Sequence, residues 1–163
     1  NRDSFIGLVG SEMCIRDSGY TKEEWKVTVE TRKILHLPDL PVSCTAVRVP
    51  VITSHSEAVH VELEGSMTPD EARELFATVP GVIVRDDPAN DVYPLATEGA
   101  GRDEVYVGRI RADASLPEGK GLAFWVVSDN LRKGAATNAV EIAEIIERND
   151  WLAKASERVA GTA

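Results

Sequence analysis

Hydrophobic and polar positions change their spacing along the first half of the chain, and each change predicts a new element. Thr21 is a predicted N-cap, and Glu24 stands three residues later, as in a capping box. Residues 22–35 then predict an α-helix. Residues 43–53 are rich in β-branched side chains and predict a strand. Residues 57–64 alternate apolar with polar, which predicts a second strand with one buried and one exposed face.

In the second half, Thr68 followed by proline predicts the start of a helix that ends near residues 80–81. Three further strands are predicted over residues 82–85, 104–111 and 122–128. The last of these is apolar on both faces, which favours a place inside the sheet. Ser128 or Asp129 is predicted to cap a long final helix, residues 131–151.

The order of these elements favours an α+β fold with a mixed, largely antiparallel sheet flanked by helices. We expect one domain over residues 19–152 and a C-terminal tail over residues 153–163. Residues 1–18 show no helical or strand period, and SEMCIRDS within them looks like translated sequencing adaptor. We expect this segment to be non-native or disordered.

Composition and net charge limit the kinds of molecule that this chain is expected to bind. The formal net charge of −9 argues against nucleic acid but permits small anionic ligands held by a few Arg and Lys side chains. No apolar run is long enough for a bilayer helix, so we expect no membrane partner. Cys14 and Cys44 make neither a disulfide framework nor a metal cluster, which favours a cytoplasmic location and no bound metal.

Arg48 and His55 are the most informative candidates for chemistry. Arg48 stands among valines, where its charge needs a carboxylate, a phosphate or a route to water. A structural ion pair remains an equally simple explanation. His55 suits proton transfer near neutral pH but could also be an ordinary turn residue. In one regular strand the two side chains would point to opposite faces, so a shared site requires a bend near Thr53 and Ser54.

Glu23 and Lys26 lie on one helical face, where an exposed ion pair is the simple alternative to a binding role. Residues 128–134 form a strand-to-helix junction that could bind an anion or merely cap the helix. His36 and His60 are expected to be a helix-end residue and an exposed strand residue. Cys44 is expected to be a small hydrophobe without a base beside it.

Together these segments resemble aspartate-semialdehyde dehydrogenase. The resemblance rests on GYTKEEWKVTVETRKIL, PVSCTAVRVPVITSHSEAV, VGRIR and FWVVSDNLRKGAATNAVEIAE, found at residues 19–35, 41–59, 107–111 and 124–144. Two positions depart from the pattern, because Ser54 and His36 stand where such enzymes commonly have glycine. The first departure falls on the bend that a shared site requires.

The resemblance implies a role for each candidate. Arg48 would bind the α-carboxylate of the substrate, and His55 would be the catalytic general acid/base. Glu23 would bind the substrate amino group and Lys26 the phosphate. Asn130 would contact the cofactor, NADP. The implied fold is the semialdehyde dehydrogenase dimerisation domain, which is similar to the C-terminal domain of glyceraldehyde-3-phosphate dehydrogenase.

The implied reaction is the NADPH-dependent reductive dephosphorylation of L-aspartyl-4-phosphate to L-aspartate 4-semialdehyde. The catalytic cysteine of such enzymes follows an asparagine, a context that neither cysteine has here. We therefore expect a fragment that is inactive alone, with NADP bound mainly by a missing N-terminal Rossmann half. The final helix 131–151 would pack on that half, and the assembly would be a homodimer or homotetramer. The alternatives are an N-acetyl-γ-glutamyl-phosphate reductase and a non-catalytic dimerisation module.

Overall fold

The computed structural model describes residues 19–152. The predictions for residues 1–18 and 153–163 lie outside this range. The described chain forms two compact units that divide between Pro50 and Val51. Each unit is described by itself.

The first unit is built on helix α1, Lys22–Ile34, which confirms the predicted helix. The predicted capping box is present: the Thr21 hydroxyl accepts from the Glu24 amide, and Glu24 Oε2 accepts from the Thr21 amide at 2.7 Å. At the other end His36 has φ +56°, and its amide donates to the Lys33 carbonyl. The Leu37 amide donates to the Arg32 carbonyl. These two bonds form a Schellman motif, in which His36 holds the position that glycine usually takes.

The predicted strand over residues 43–53 is wrong, because no residue of it is in a strand. β-branched composition favours extended backbone, but a strand also needs a neighbour to complete its hydrogen bonds. Among the described residues no neighbouring strand pairs with it. Val47, Val49 and Ile52 are accordingly exposed.

The second unit contains a four-stranded sheet: β1 His55–Glu62, β2 Val82–Val84, β3 Val105–Ala112 and β4 Gly121–Ser128. The strand order is β1-β4-β3-β2. The two pairings made by β4 are antiparallel, and β2 pairs with β3 in parallel. This confirms the predicted mixed, largely antiparallel sheet, and the apolar strand β4 is internal as predicted.

One face of the sheet carries the core. Helix α2, Pro69–Thr78, begins at a Thr68 capping box with proline in its first turn, as predicted. Its Ala72 joins the buried residues Val107, Ile110 and Leu122, and Phe76 packs edge-on against Phe124. The core is therefore formed by α2 and the inward-facing side chains of the strands.

A bulge in β3 is fixed by a buried ion pair. The register shifts between Gly108 and Arg111, and Arg109 has φ +53°. Asp86, whose side chain is 1% exposed, accepts from the amides of Arg109 and Ile110 at 2.7 and 3.2 Å. Its Oδ2 also accepts from Arg73 Nε at 2.7 Å. Gly108 is required here, because a Cβ atom would lie 2.2 Å from the Arg85 carbonyl oxygen.

The final helix differs from the prediction at both ends. A short helix α3, Ala96–Gly99, precedes β3, and a π-helical turn over Arg132–Ala136 precedes helix α4, Thr137–Arg148. α4 therefore begins later than predicted and ends three residues before Trp151. The early end coincides with left-handed backbone at Asp150, φ +55°. Within residues 19–152 no helix has the length and hydrophobicity needed to cross a bilayer.

Candidate functional site

Helix α1 carries the first group of candidate residues. Lys26 Nζ lies 3.7 Å from Glu23 Oε1, and both side chains are partly exposed. The predicted ion pair is thus present, and its exposure limits its value for stability to below about 1 kcal/mol. Glu23 Oε2, by contrast, is buried and lacks a hydrogen-bond donor among the described residues. One oxygen of this carboxylate is therefore buried without a hydrogen bond from the described residues.

Glu24 ties the Arg48 segment to α1. Glu24 Oε1 accepts from the Ala46 amide at 2.9 Å, while Oε2 caps the helix. Hydrogen bonds from the backbone amides of Thr21 and Ala46 lower the pKa of this carboxyl, so it is ionised at neutral pH. Cys44 Sγ donates to the Glu24 carbonyl at 3.4 Å. Glu24 thus holds the segment that leads to Arg48 on the helix that carries Glu23 and Lys26.

Arg48 and Cys44 differ in what they can do. Arg48 is exposed, so its charge has the route to water that a cation in an apolar segment requires. No described acidic side chain forms an ion pair with it. Burial raises the pKa of the Cys44 thiol, and the nearby Glu24 raises it further. A thiol held in its protonated form is a poor nucleophile, which agrees with its predicted structural role.

In the second unit, His55 is exposed and is the first residue of β1, opposite Ser128 of β4. The backbone bends at Ile52 and Thr53, and Ser54 has φ +80°. A bend is therefore present near Ser54, where the sequence departs from glycine. Because residues 43–53 form no strand, the strand alternation from which the bend was predicted does not apply.

Asn130, two residues after the C-terminal end of β4, holds this bend. Its Oδ1 accepts from the Ser54 amide at 2.9 Å and from the Thr53 hydroxyl at 3.3 Å. Ser54 is 5% exposed, and its own hydroxyl is buried without a partner among the described residues. The residue preceding His55 is thus fixed by one carboxamide distant in sequence.

The predicted capping role at the strand-to-helix junction belongs to Asp129. Asp129 Oδ1 accepts from the amides of Leu131 and Arg132 at 2.8 and 3.1 Å, and Oδ2 accepts from the Gly101 amide at 2.7 Å. The Gly101 bond is the main reason that the pKa of this buried carboxyl is lowered. These three bonds occupy Asp129 and fix the backbone on which Asn130 stands.

Arg132, next in this junction, is held by Asp103. Its Nε and Nη2 atoms each donate to a different oxygen of Asp103 at 2.8 Å. This bidentate contact, supported by the Thr137 hydroxyl, lowers the pKa of Asp103 to about 2. Arg132 is therefore a structural residue of the junction rather than a free cation.

Sequence reasoning did not identify three of these arrangements: the Glu24–Ala46 bond, the Asp129–Gly101 bond and the Asn130–Ser54 bond. Each joins residues more than twenty positions apart, which no local pattern reports. The one available signal was serine in place of glycine at a bend. His60 was predicted only as an exposed strand residue, and its Nδ1 lies 2.8 Å from Asp113 Oδ2. Within residues 19–152 no group of three or more His, Cys, Asp or Glu side chains could hold a metal ion.

Comparisons with known proteins identify the family. Residues 3–133 match the family described as "Semialdehyde dehydrogenase, dimerisation domain". The chain is 54% identical to the aspartate-semialdehyde dehydrogenase of Aquifex aeolicus over 83% of its length, and 55% identical to that of Legionella pneumophila over 86%. It spans 39% and 40% of those two relatives.

Solved structures agree. A crystal structure of aspartate semialdehyde dehydrogenase II from Vibrio cholerae is 42% identical, with a TM-score of 0.68 over 83% of this chain and 39% of that one. A second structure of that enzyme, described as complexed with ASA, matches equally well. The similar proteins do not favour the alternative of an N-acetyl-γ-glutamyl-phosphate reductase. The chain belongs to the semialdehyde dehydrogenase family, through its dimerisation domain.

Proposed function

We propose that this chain is the substrate-binding and dimerisation part of an NADP-dependent aspartate-semialdehyde dehydrogenase, acting in the cytoplasm in amino-acid biosynthesis. The complete enzyme would convert L-aspartyl-4-phosphate to L-aspartate 4-semialdehyde. The names of relatives 46–55% identical support this activity. The chain covers about two fifths of their length, so the remaining parts of the reaction would come from elsewhere in the polypeptide.

The proposal rests on three charged residues of the first unit: Glu23 and Lys26 lie on α1, and Glu24 of α1 accepts from the Ala46 amide two residues before Arg48. The substrate has an α-carboxylate, an α-ammonium group and a phosphate. Arg48 matches the carboxylate through its planar fork of donors. Glu23 matches the ammonium group by its negative charge, and Lys26 matches the phosphate as a point charge. Three charges of the right signs thus have three complementary partners.

His55 would act on the reacting carbonyl. The proposed step begins when a cysteine thiolate supplied by the preceding half attacks the acyl phosphate and phosphate leaves. His55 holds or gives the proton at the substrate carbonyl oxygen, which prevents the build-up of full negative charge there. Its exposed ring at the start of β1 is accessible to a ligand.

Asn130 fits a nicotinamide cofactor. Since Oδ1 accepts from Ser54 and Thr53, the trigonal geometry of the carboxamide directs Nδ2 away from them, as a donor for a carbonyl oxygen. NADPH, when bound, supplies the hydride. We propose that most of the remaining contacts to NADP come from the preceding half.

The test is the substrate preference of the complete enzyme. We expect NADPH formation from aspartate 4-semialdehyde, phosphate and NADP⁺, and kcat/KM at least 100-fold lower with N-acetylglutamate 5-semialdehyde. His55→Gln should reduce kcat by roughly 100-fold or more, the usual contribution of a general acid/base. Preference for the acetylated substrate, or full activity in His55→Gln, would overturn the proposal.

A non-catalytic role suits the chain by itself, because neither of its cysteines has the expected asparagine before it. We propose that the isolated chain associates as a homodimer or homotetramer and does not turn over. The exposed apolar side chains of α4, Val140, Ile142 and Ile145, would pack on the preceding half. Light scattering together with an NADPH assay of the chain tests both statements, and a monomer or an active chain would contradict them.

A further inference from the structure

The bend before His55 is strained, and it is held by two hydrogen bonds that it donates to one side-chain oxygen of Asn130. A non-glycine residue in left-handed backbone costs about 1–2 kcal/mol. Ser54 bears this cost at φ +80° and also buries its own unpaired hydroxyl. Asn130 Oδ1 receives both the Ser54 amide and the Thr53 hydroxyl. Without that acceptor, the buried Ser54 amide would lose its partner and the bend its main restraint.

Asn130 is itself rigidly placed. It stands two residues after Ser128, the β4 residue paired with His55, so the ladder sets its distance from the bend. Asp129, 3% exposed, fixes the neighbouring backbone through three amide hydrogen bonds. The carboxamide is therefore presented from a stable frame.

From this geometry we infer that Asn130 is a positioning residue for His55, holding the Thr53–Ser54 bend through its Oδ1 atom while its Nδ2 atom remains directed to the ligand. This inference rests on the proposed function, in which His55 acts on the substrate. It gives the two polar atoms of one carboxamide different roles: Oδ1 fixes the backbone that positions His55, and Nδ2 donates to the carbonyl oxygen of the ligand.

Two substitutions separate these two roles. Asn130→Ala removes both, whereas Asn130→Asp keeps an acceptor for the Ser54 amide and removes the donor. In the complete enzyme, Asn130→Ala should lower kcat by roughly 10- to 100-fold, as expected when a reacting group moves by about 1 Å. Asn130→Asp should lower kcat by less than Asn130→Ala does and raise the KM for NADPH about 10-fold, since a charge-bearing ligand loses a donor and meets a carboxylate.

A double-mutant cycle supplies the readout that a merely structural role would not move. Ser54→Gly makes positive φ inexpensive, so the bend should depend less on Asn130. We expect Asn130→Ala to reduce kcat several-fold less in the Ser54→Gly background than alone. Asn90→Ala, which removes an exposed carboxamide from a surface turn, is the matched control.

The outcomes are distinguishable. Equal loss of kcat in Asn130→Ala and Asn130→Asp, or an unchanged kcat in Asn130→Ala, would overturn the inference while His55→Gln still reports on the proposed function. If Asn130→Ala does not fold, the Asn130→Asp comparison and the protection of the Ser54 amide from hydrogen exchange in the chain decide the matter. Protection retained in Asn130→Asp supports the inference, and protection lost there contradicts it.

Discussion

At the scale of single residues, five described non-glycine residues have left-handed backbone, and His36 and Ser54 are two of them. His36 completes a Schellman motif at φ +56°, and Ser54 forms the bend before His55 at φ +80°. The backbone amide of each residue has a hydrogen-bond acceptor: the His36 amide donates to a carbonyl within the motif, and the Ser54 amide donates to Asn130 Oδ1. Both positions therefore keep the geometry of glycine at an energetic cost, and the hydrogen bonds around them offset it.

Ser54 provides a direct prediction of that cost. Ser54→Gly should raise the free energy of unfolding of the chain by about 1–2 kcal/mol, because it removes both the backbone strain and the buried hydroxyl without a partner. Ser54→Ala removes the hydroxyl alone and retains the left-handed penalty, so it should gain less. Urea unfolding of the three proteins measures the difference. A Ser54→Gly protein no more stable than Ser54→Ala would show that the backbone is not strained.

At the scale of elements, the Asp86–Arg73 pair links three parts of the second unit. It joins α2, the loop after β2 and the bulge of β3 through one carboxylate. The Arg73 Nη2 atom also donates to the Ile110 carbonyl at 2.7 Å. The bulge thus depends on a buried charge whose hydrogen bonds are satisfied on several sides, the condition under which a buried ion pair is tolerated.

Removing that carboxylate should be costly. Asp86→Ala is expected to destabilise the chain by about 3 kcal/mol, since it leaves the Arg73 Nε group and the amides of Arg109 and Ile110 without their acceptor. Asp70 offers a matched control, because it contacts the same arginine at 2.6 Å but is 90% exposed. Asp70→Ala should cost below about 1 kcal/mol. Similar losses for the two variants in urea unfolding would mean that the bulge does not depend on Asp86.

The elements also show what local pattern can predict. The capping box at Thr21 and the cap residue Thr68 followed by proline placed both helix starts correctly, because capping acts within four residues. The strand β4 was also placed correctly inside the sheet, because its own apolar composition reflects burial on both faces. The strand predicted over residues 43–53 failed because pairing requires a distant partner that composition does not reveal.

In the candidate site, too, local features could be predicted from the sequence and contacts between distant residues could not. A bend near Ser54 was predicted only on the condition that Arg48 and His55 share a site, from the parity of a strand that the structure does not contain. Its cause could not be predicted, because Asn130 lies 76 positions away and no spacing rule connects the two residues. Glu24 was predicted only as a capping residue, and its second role in holding the segment before Arg48 depends on contact across twenty-two positions.

At the scale of the whole molecule, the proposed roles are distributed between the two compact units. Glu23, Lys26 and Arg48 belong to the first, while His55 and Asn130 belong to the second. The chain spans about two fifths of its curated relatives, and the proposed hydride and thiolate chemistry lies outside the groups described here. Its own proposed contribution is to bind three charged groups of the substrate and to hold one proton-transfer group.

The most direct test of this account is the steady-state kinetics of Arg48→Lys in the complete enzyme. Lysine keeps the positive charge but loses the bidentate fork, so kcat/KM for aspartate 4-semialdehyde should fall by roughly 100-fold. Arg102→Lys, a matched change at another exposed arginine, should leave kcat/KM within about 2-fold, the range usual for surface substitutions. Wild-type kcat/KM in Arg48→Lys would contradict the carboxylate-binding role on which the proposed function depends.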